Sequence, residues 1–461
     1  MKRKAVVALV ILLLFAAGLR LYRADRLLPF SFDQERDAWV IKAMVDTQRP
    51  VLIGPEIAGR GFFLGPLYYY LLLPAYLVFN LDPGGTIYLP LLLSLLSVTA
   101  FYLIGRVCCS VQAGLLAAFI YAGSAFMVQF DHVPWNVNLM IPLSLLIFYW
   151  AHQVFIKNKP AYLPGLFFCL GLYFHAHFTA IVFLAGTIIL LLLKRLAVNK
   201  SVIVKTSVAF LAPLLPLIIF DLRHNWLNLR HVWLLLFSQT SRIISNPAAQ
   251  FLSMIDCQIS NLSQTLFYQP LQPILFCLKI LLAIYFINLI IKTASPPRSW
   301  NIRTLGLFYM LFFALVLSFY TESVPEYYFF SVLPLALLLF SQDAALFISR
   351  RGRNLLIIIG TVFVLFNFYT VLKAENSNSL YYKRRLVEFV ITEAKGPFQL
   401  NYTTAVNFDN GYRYLFDLYK APIVNDKQYP AFTLVSPHDF SNIKSDYRFG
   451  IIGLVGPVYE N

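Results

Sequence analysis

The chain has 461 residues, 59% hydrophobic and only 13% charged. Soluble domains carry roughly 25% charged residues, so a mean hydropathy of +0.67 excludes a cytosolic enzyme or a secreted disulfide scaffold and indicates a polytopic membrane protein. The net charge of +15 is spread over connectors instead of forming one basic stripe, which argues against nucleic-acid binding.

Along the chain, Met-Lys-Arg-Lys precedes an apolar segment from Ala5 to Leu21 that ends without a small-x-small cleavage site. It is expected to be a retained anchor with its N-terminus inside. Further spans are predicted near 86–105, 111–129, 137–156, 160–175, 178–193, 204–220, 271–291, 304–320, 327–347 and 354–372. Phe62 to Phe79 is long enough to cross, but it contains Pro66, Pro74 and Tyr68-Tyr69-Tyr70, which suit a membrane surface better than a continuous span. With this segment on the surface, thirteen Lys and Arg of the short loops share the inner side, and the connectors 130–136, 176–177 and 321–326 carry none. If the segment crossed, all thirteen would be exported, against the positive-inside bias. The expected architecture is therefore an all-α polytopic membrane protein of about eleven transmembrane helices. Juxtamembrane helices occupy its first external loop. Residues 1–372 form the membrane domain, and 373–461 form a small α+β external C-terminal domain.

This parity gathers ionisable groups on one face. Between Pro83 and Tyr320 the only acids are Asp131, Asp221 and Asp256, all placed outside with His132, His175, His177, His224 and His231. Charges near membrane depth are costly and often mark a site, although any single one also suits a plain solvated connector. The first loop is richest: Ser31-Phe32-Asp33-Gln34-Glu35-Arg36-Asp37-Ala38-Trp39 precedes a stretch in which Trp39, Val40, Ala43 and Met44 can form an apolar face. Asp33 can cap this helix or act as a general base, with Glu35 and Asp37 in support and Arg36 as a phosphate clamp. Gly59-Arg60-Gly61 and then Gly65-Pro66-Leu67-Tyr68-Tyr69-Tyr70 follow.

An acid-bearing first external loop followed by Gly-Pro-Leu-Tyr-Tyr-Tyr resembles the GT-C glycosyltransferases, specifically the bacterial branch allied to protein O-mannosyltransferases and the lipid A aminoarabinose transferase. Here Gly65-Pro66 stands for the family's Pro-Pro, and Asp33-Gln34-Glu35 for its adjacent acid pair. The family's second connector often bears an Asp, matching Asp131 in Phe130-Asp131-His132-Val133-Pro134-Trp135-Asn136. The resemblance implies an inverting transfer, at the outer face of the cytoplasmic membrane, from a polyprenyl-phosphate-linked sugar donor to a glycolipid, polysaccharide or protein acceptor. It implies Asp33 as base, Glu35 or Asp131 as second acid, and Arg36 and Arg60 as phosphate ligands. Asp37, Tyr68, His132, His175, His177, Glu326 and Tyr327 are further candidates for binding. No cofactor or metal is expected.

Phe174-His175-Ala176-His177-Phe178 makes a tight turn between two spans. Its histidines at i and i+2 do not share a helical face, so metal binding, phosphate or sugar contact, and a plain polar turn all stand as readings. Glu326-Tyr327-Tyr328 is either a sugar contact or part of an aromatic belt. The 221–270 loop, with Asp221, Arg223, Trp226 and Trp233, is a candidate acceptor frame. A lipid-linked sugar flippase would carry charges mid-span, where Lys279 is the main one, and a polysaccharide polymerase or ligase would centre on loop arginines such as Arg223, Arg230 and Arg242.

Overall fold

An apolar run inside a bilayer has to satisfy its backbone internally, and in the computed structural model the chain is largely helical as far as residue 373. The structure describes residues 3–57, 61–237, 246–269, 271–294, 300–320, 323–406 and 408–458. Helix α1 (Arg3–Leu21) leads through the single turn α2 (Ala24–Leu27) into α3 (Phe32–Thr47) and α4 (Leu67–Val78). The bundle continues with α5 (Tyr88–Cys108), α6 (Val111–Gly123), the short α7 (Ala125–Phe130), α8 (Met140–Ala151), α9 (Leu163–Tyr173), α10 (Ala180–Lys194) and α11 (Lys200–Arg223). After α12 (Leu227–Phe237) and α13 (Pro247–Leu266) come α14 (Gln272–Ala294), α15 (Ile302–Leu317), α16 (Leu333–Arg351) and α17 (Arg353–Lys373).

Among the described residues, five helical stretches are long and apolar enough to cross a membrane: Arg3–Leu21, Pro83–Cys108, Asn136–Ile156, Lys200–Arg223 and Gln272–Ala294. Shorter apolar helices stand beside them. One is α4, whose 12 residues rise only about 18 Å at 1.5 Å each, against a hydrocarbon core about 30 Å thick.

Helices α5 and α6 meet at Gly105 and Gly114, where a Cβ on Gly105 would come within 2.6 Å of the Gly114 Cα. Small residues at such a crossing let the two backbones touch, which is how membrane helices associate without a hydrophobic drive. Helix α1 packs on both of them. At its end Arg20 is buried against Asp131, with Nε 2.8 Å from Oδ2, and donates to the carbonyl of Ala122 at 2.9 Å.

The 221–270 segment departs from the expected open loop, because most of its second half is the 20-residue α13. Met254, Ile259, Leu262 and Leu266 bury one stripe of this helix, which packs against α14, α15 and α16. Lys279, the expected mid-span charge, pairs with Asp256 of α13 at 2.6 Å.

The C-terminal unit is built from α18 (Leu380–Ala394), α19 (Arg413–Leu418) and four strands: β1 (Gln399–Thr404), β2 (Ala431–Ser436), β3 (Tyr447–Phe449) and β4 (Ile452–Val458). The sheet order is β1-β2-β4-β3, with β1 parallel to β2 and the other pairs antiparallel. The unit docks on the first connector. Lys383 of α18 donates to the carbonyls of Phe30 and Asn410 at 2.7 and 2.6 Å, Lys42 of α3 pairs with Asp417 at 2.9 Å, and Arg384 with Asp82 at 2.6 Å.

Candidate active site

Helix α3 is started by Ser31 and not by Asp33: the Ser31 backbone N–H donates to Gln34 Oε1 at 3.1 Å. Asp33 is thereby left in the first helical turn with its carboxylate free to face outward. The buried face of α3 also differs from the expected apolar stripe, since it comprises Gln34, Glu35, Asp37, Ala38, Ile41 and Met44. The reason is tertiary: α3 is clamped between the bundle and the C-terminal unit, and both flanks carry polar contacts.

Asp33 and Arg36 line a cleft of about 470 Å³ at one end of the bundle. Arg36 joins two carboxylates, with Nη1 2.7 Å from Asp33 Oδ1 and Nη2 2.6 Å from Asp37 Oδ1. Burial works against the Arg36 charge, but Asp37 and then Asp33 outweigh it and push its pKa up. Asp37 is 1% exposed. Burial pushes its carboxyl up to about 7 even though Arg36 pulls the other way. Tyr68 and Tyr69 of α4 pack close to this pair, and the buried Tyr68 hydroxyl has no hydrogen-bond partner in the structure. Arg36 is therefore a fixed cation whose inner carboxylate is shielded and whose outer one, on Asp33, opens to the cleft.

The opposite walls are aromatic. Trp135 lies 5.0 Å from Tyr327 between ring centroids, and His177 stacks edge-on with Tyr328 at 4.6 Å. Asn136, Phe178, Glu56 and Leu64 also line the cleft. Gln34 donates to the Pro134 carbonyl at 3.0 Å and Asn136 to that of Ala176 at 2.7 Å, so α3, the Trp135 segment and the His175–His177 turn are tied together. Burial lowers the His177 pKa to about 3, which leaves a neutral imidazole with Nδ1 engaged by the Thr179 hydroxyl at 3.0 Å. His177 is thus a hydrogen-bonding wall residue and not a cationic phosphate clamp.

Other predicted site residues lie elsewhere. Glu35 points away from the cleft, its buried carboxylate accepting the Gly411 and Tyr414 N–H groups at 2.6 and 2.9 Å. Asp131 is 3% exposed and engaged by Arg20, while His132 is turned inward with Nδ1 on the Val128 carbonyl at 2.7 Å. His175 Nδ1 accepts the Leu67 N–H at 3.1 Å and its Nε2 donates to the Pro213 carbonyl at 2.8 Å. A Cβ on Gly65 would sit 2.1 Å from that Nδ1. The absence of a Cβ at Gly65 is what makes room for the imidazole. Glu326 is exposed and outside the cleft lining, whereas its neighbour Tyr327 is in it. Arg60 lies outside the described residues, as do Arg242 and Gly59.

The sequence reading did not single out Trp135 and Phe178 as wall residues, or Asn228. Asn228 accepts the Phe63 N–H at 2.6 Å and donates to the Phe63 carbonyl at 3.1 Å, fixing the strand-like entry to the Gly65 segment. Asp221, considered for the acceptor frame, instead caps the start of α12 through the N–H groups of Asn228 and Leu229. Only the position of Trp135-Asn136 next to an apparent acid motif hinted at their place. Among the described residues, no group of three or more His, Cys, Asp or Glu side chains is placed to hold a metal ion.

Residues 64–221, about a third of the chain, match the family model described as dolichyl-phosphate-mannose-protein mannosyltransferase. No curated protein matches the sequence. Among solved structures, ArnT from Cupriavidus metallidurans bound to undecaprenyl phosphate superposes with a TM-score of 0.61 at 12% identity, over 99% of each chain. Its apo state gives 0.58 at 10% identity over 97% of each. The Archaeoglobus fulgidus oligosaccharyltransferase tethered with an acceptor peptide gives 0.52 at 12% identity, over 95% of this chain and 70% of the other. The chain thus has the fold of ArnT along its whole length, and its residues 64–221 are similar to the dolichyl-phosphate-mannose-protein mannosyltransferase family.

Proposed function

We propose that this protein is a membrane glycosyltransferase that moves a sugar from a polyprenyl-phosphate-linked donor to an extracytoplasmic acceptor, with inversion. The observation that carries the reading is the Asp33–Arg36 pair at the mouth of an aromatic-walled cleft. A fixed guanidinium suits a lipid phosphate, aromatic walls suit sugar faces, and a half-exposed carboxylate suits a proton acceptor. The match to ArnT bound to undecaprenyl phosphate supports the choice of donor class.

In this mechanism the donor phosphate draws one arm of Arg36 away from Asp33, while Asp37 holds the other arm in place. The acceptor's lone pair then forms the bond to the anomeric carbon from the face opposite the phosphate. The bond between that carbon and the phosphate oxygen breaks, its electrons stay on the phosphate, and the acceptor proton passes to Asp33. Preorganised charge at the leaving group supplies much of the rate. The reaction requires no metal. The topology that serves it has eleven spans in the cytoplasmic membrane, with the N-terminus inside and both the Asp33 cleft and the 373–461 unit outside.

The test uses purified protein in lipid, a radiolabelled panel of polyprenyl-phosphate sugars and membrane extract as acceptor, with and without a chelator. Transfer by the wild type that resists the chelator and is lost in Asp33→Asn supports the reading. Transfer surviving Asp33→Asn overturns the assignment of the base, and sugar-lipid crossing sealed vesicles without transfer overturns the enzyme.

A further inference from the structure

A second polar cleft, of about 620 Å³, opens between α14, α15 and α16 at the end of the bundle away from Asp33. Tyr328 at the Asp33 cleft lies five residues before the start of α16. Asp343 and Phe347 lie ten and fourteen residues into that helix, roughly 15 and 21 Å along its axis at 1.5 Å per residue. On the topology proposed above, this sets the second cleft toward the opposite leaflet.

Its donors outnumber its acceptors. The Asp343 carboxylate is occupied, with one oxygen accepting from the Arg303 guanidinium and the other from the Tyr285 hydroxyl at 3.1 Å. The Arg303 Nε is buried with no partner in the structure. The Lys292 ammonium and the Asn288 amide also line the cleft, and among the described residues neither makes a side-chain hydrogen bond or ion pair. Two cations therefore face one carboxylate, with the Arg303 Nε buried and unpaired and the exposed Lys292 and Asn288 side chains beside it, and an anion with several oxygens would supply the missing acceptor.

The surroundings specify what carries that anion. Phe347 lines the cleft and also lines an adjoining cavity of about 430 Å³ walled entirely by apolar residues and glycines, among them Leu116, Phe340 and Gly360. A polar chamber beside an apolar one fits an amphiphile better than a free phosphate. Because the catalytic donor has to bring its phosphate to Arg36 at the other end, on the reading proposed above, the occupant here is a different lipid. We infer that the α14–α15–α16 cleft binds an anionic glycerophospholipid of the leaflet opposite the Asp33 cleft, its phosphate taken by Lys292, Asn288 and Arg303 and an acyl chain lying in the Phe347 cavity.

The test is native mass spectrometry of the full chain titrated with phosphatidylglycerol, phosphatidylcholine of the same chains, and glycerol 3-phosphate. The expected result is phosphatidylglycerol binding at least tenfold tighter than phosphatidylcholine, a preference that Lys292→Gln removes. Gly360→Leu extends into the apolar cavity from a position where an added Cβ meets no atom within 4 Å. It is expected to weaken phosphatidylglycerol binding tenfold without altering the fold. Equal binding of the two lipids, unchanged affinity in Lys292→Gln, or glycerol 3-phosphate binding as tightly as the lipid would each overturn the inference. Sugar transfer is scored separately on the same variants, so failure here leaves the Asp33 reading intact.

Discussion

Glu35 is a structural carboxylate two residues from the proposed base Asp33, and Glu35→Gln tests the distinction. The carboxylate accepts two backbone hydrogen bonds, from Gly411 and Tyr414, in a site where Glu35 is 7% exposed. Hydrogen bonds to a charged group contribute about 1.5–3 kcal/mol each. A glutamine keeps one acceptor oxygen but turns an amide N–H toward the other backbone N–H, so one bond is lost and one donor is orphaned. The expected loss is about 2–4 kcal/mol, concentrated on the contact between α3 and the C-terminal unit. The assay pairs thermal unfolding in detergent with sugar transfer by the folded fraction. The variant should unfold several degrees lower, with the 373–461 unit becoming protease-sensitive first, and its pH–rate profile should keep the wild-type shape. Unchanged unfolding together with turnover reduced more than a hundredfold would refute the reasoning and make Glu35 a reacting group.

Three other outcomes follow from the same geometry. Gly65→Ala drives a methyl into the His175 ring and should cost about 1–3 kcal/mol by overpacking, measured as unfolding, with His175→Ala in the same chain restoring part of the loss; a destabilisation that the double variant does not relieve refutes the steric account. Asp131→Asn leaves Arg20 buried with only carbonyl partners and should cost about 3 kcal/mol or more. Its pH–rate profile should stay unmoved, and a native-like unfolding temperature with abolished transfer would return Asp131 to the chemistry. Asp37 has a folded pKa of about 7, above its ordinary 3.8, so the folded chain binds that proton more tightly than the unfolded one. Its contribution to stability is full below about pH 4 and falls by about 1.4 kcal/mol per pH unit until it levels off above pH 7. The wild type should therefore lose stability relative to Asp37→Asn between those limits, and parallel stability curves would count against the buried site.

The site is held mainly by contacts that sequence separation conceals. Gln34 reaches Pro134, Asn228 brackets Phe63 and His175 seats over Gly65, so each wall of the cleft is fixed by a partner a hundred or more residues away. Such a lattice keeps Asp33 and Arg36 on a rigid helix, which a charge clamp needs if it is to favour the transition state without reorganising.

Composition and apolar runs were enough by themselves to determine a helical membrane protein with a small mixed C-terminal unit, because hydrocarbon leaves an unpaired backbone no alternative to helices. The Asp33–Arg36 spacing was legible too, since i and i+3 on one helix must be neighbours. What only the tertiary structure decided was which acids face the cleft. Glu35 and Asp131 look as reactive as Asp33 in the sequence, yet one is consumed by Gly411 and Tyr414 and the other by Arg20. That Trp135 joins Tyr327 and Tyr328 in one aromatic wall was likewise hidden, because the residues flanking it do not reveal that α8 and α16 begin side by side. A carboxylate's role depends on its partners, and here those partners come from distant parts of the chain.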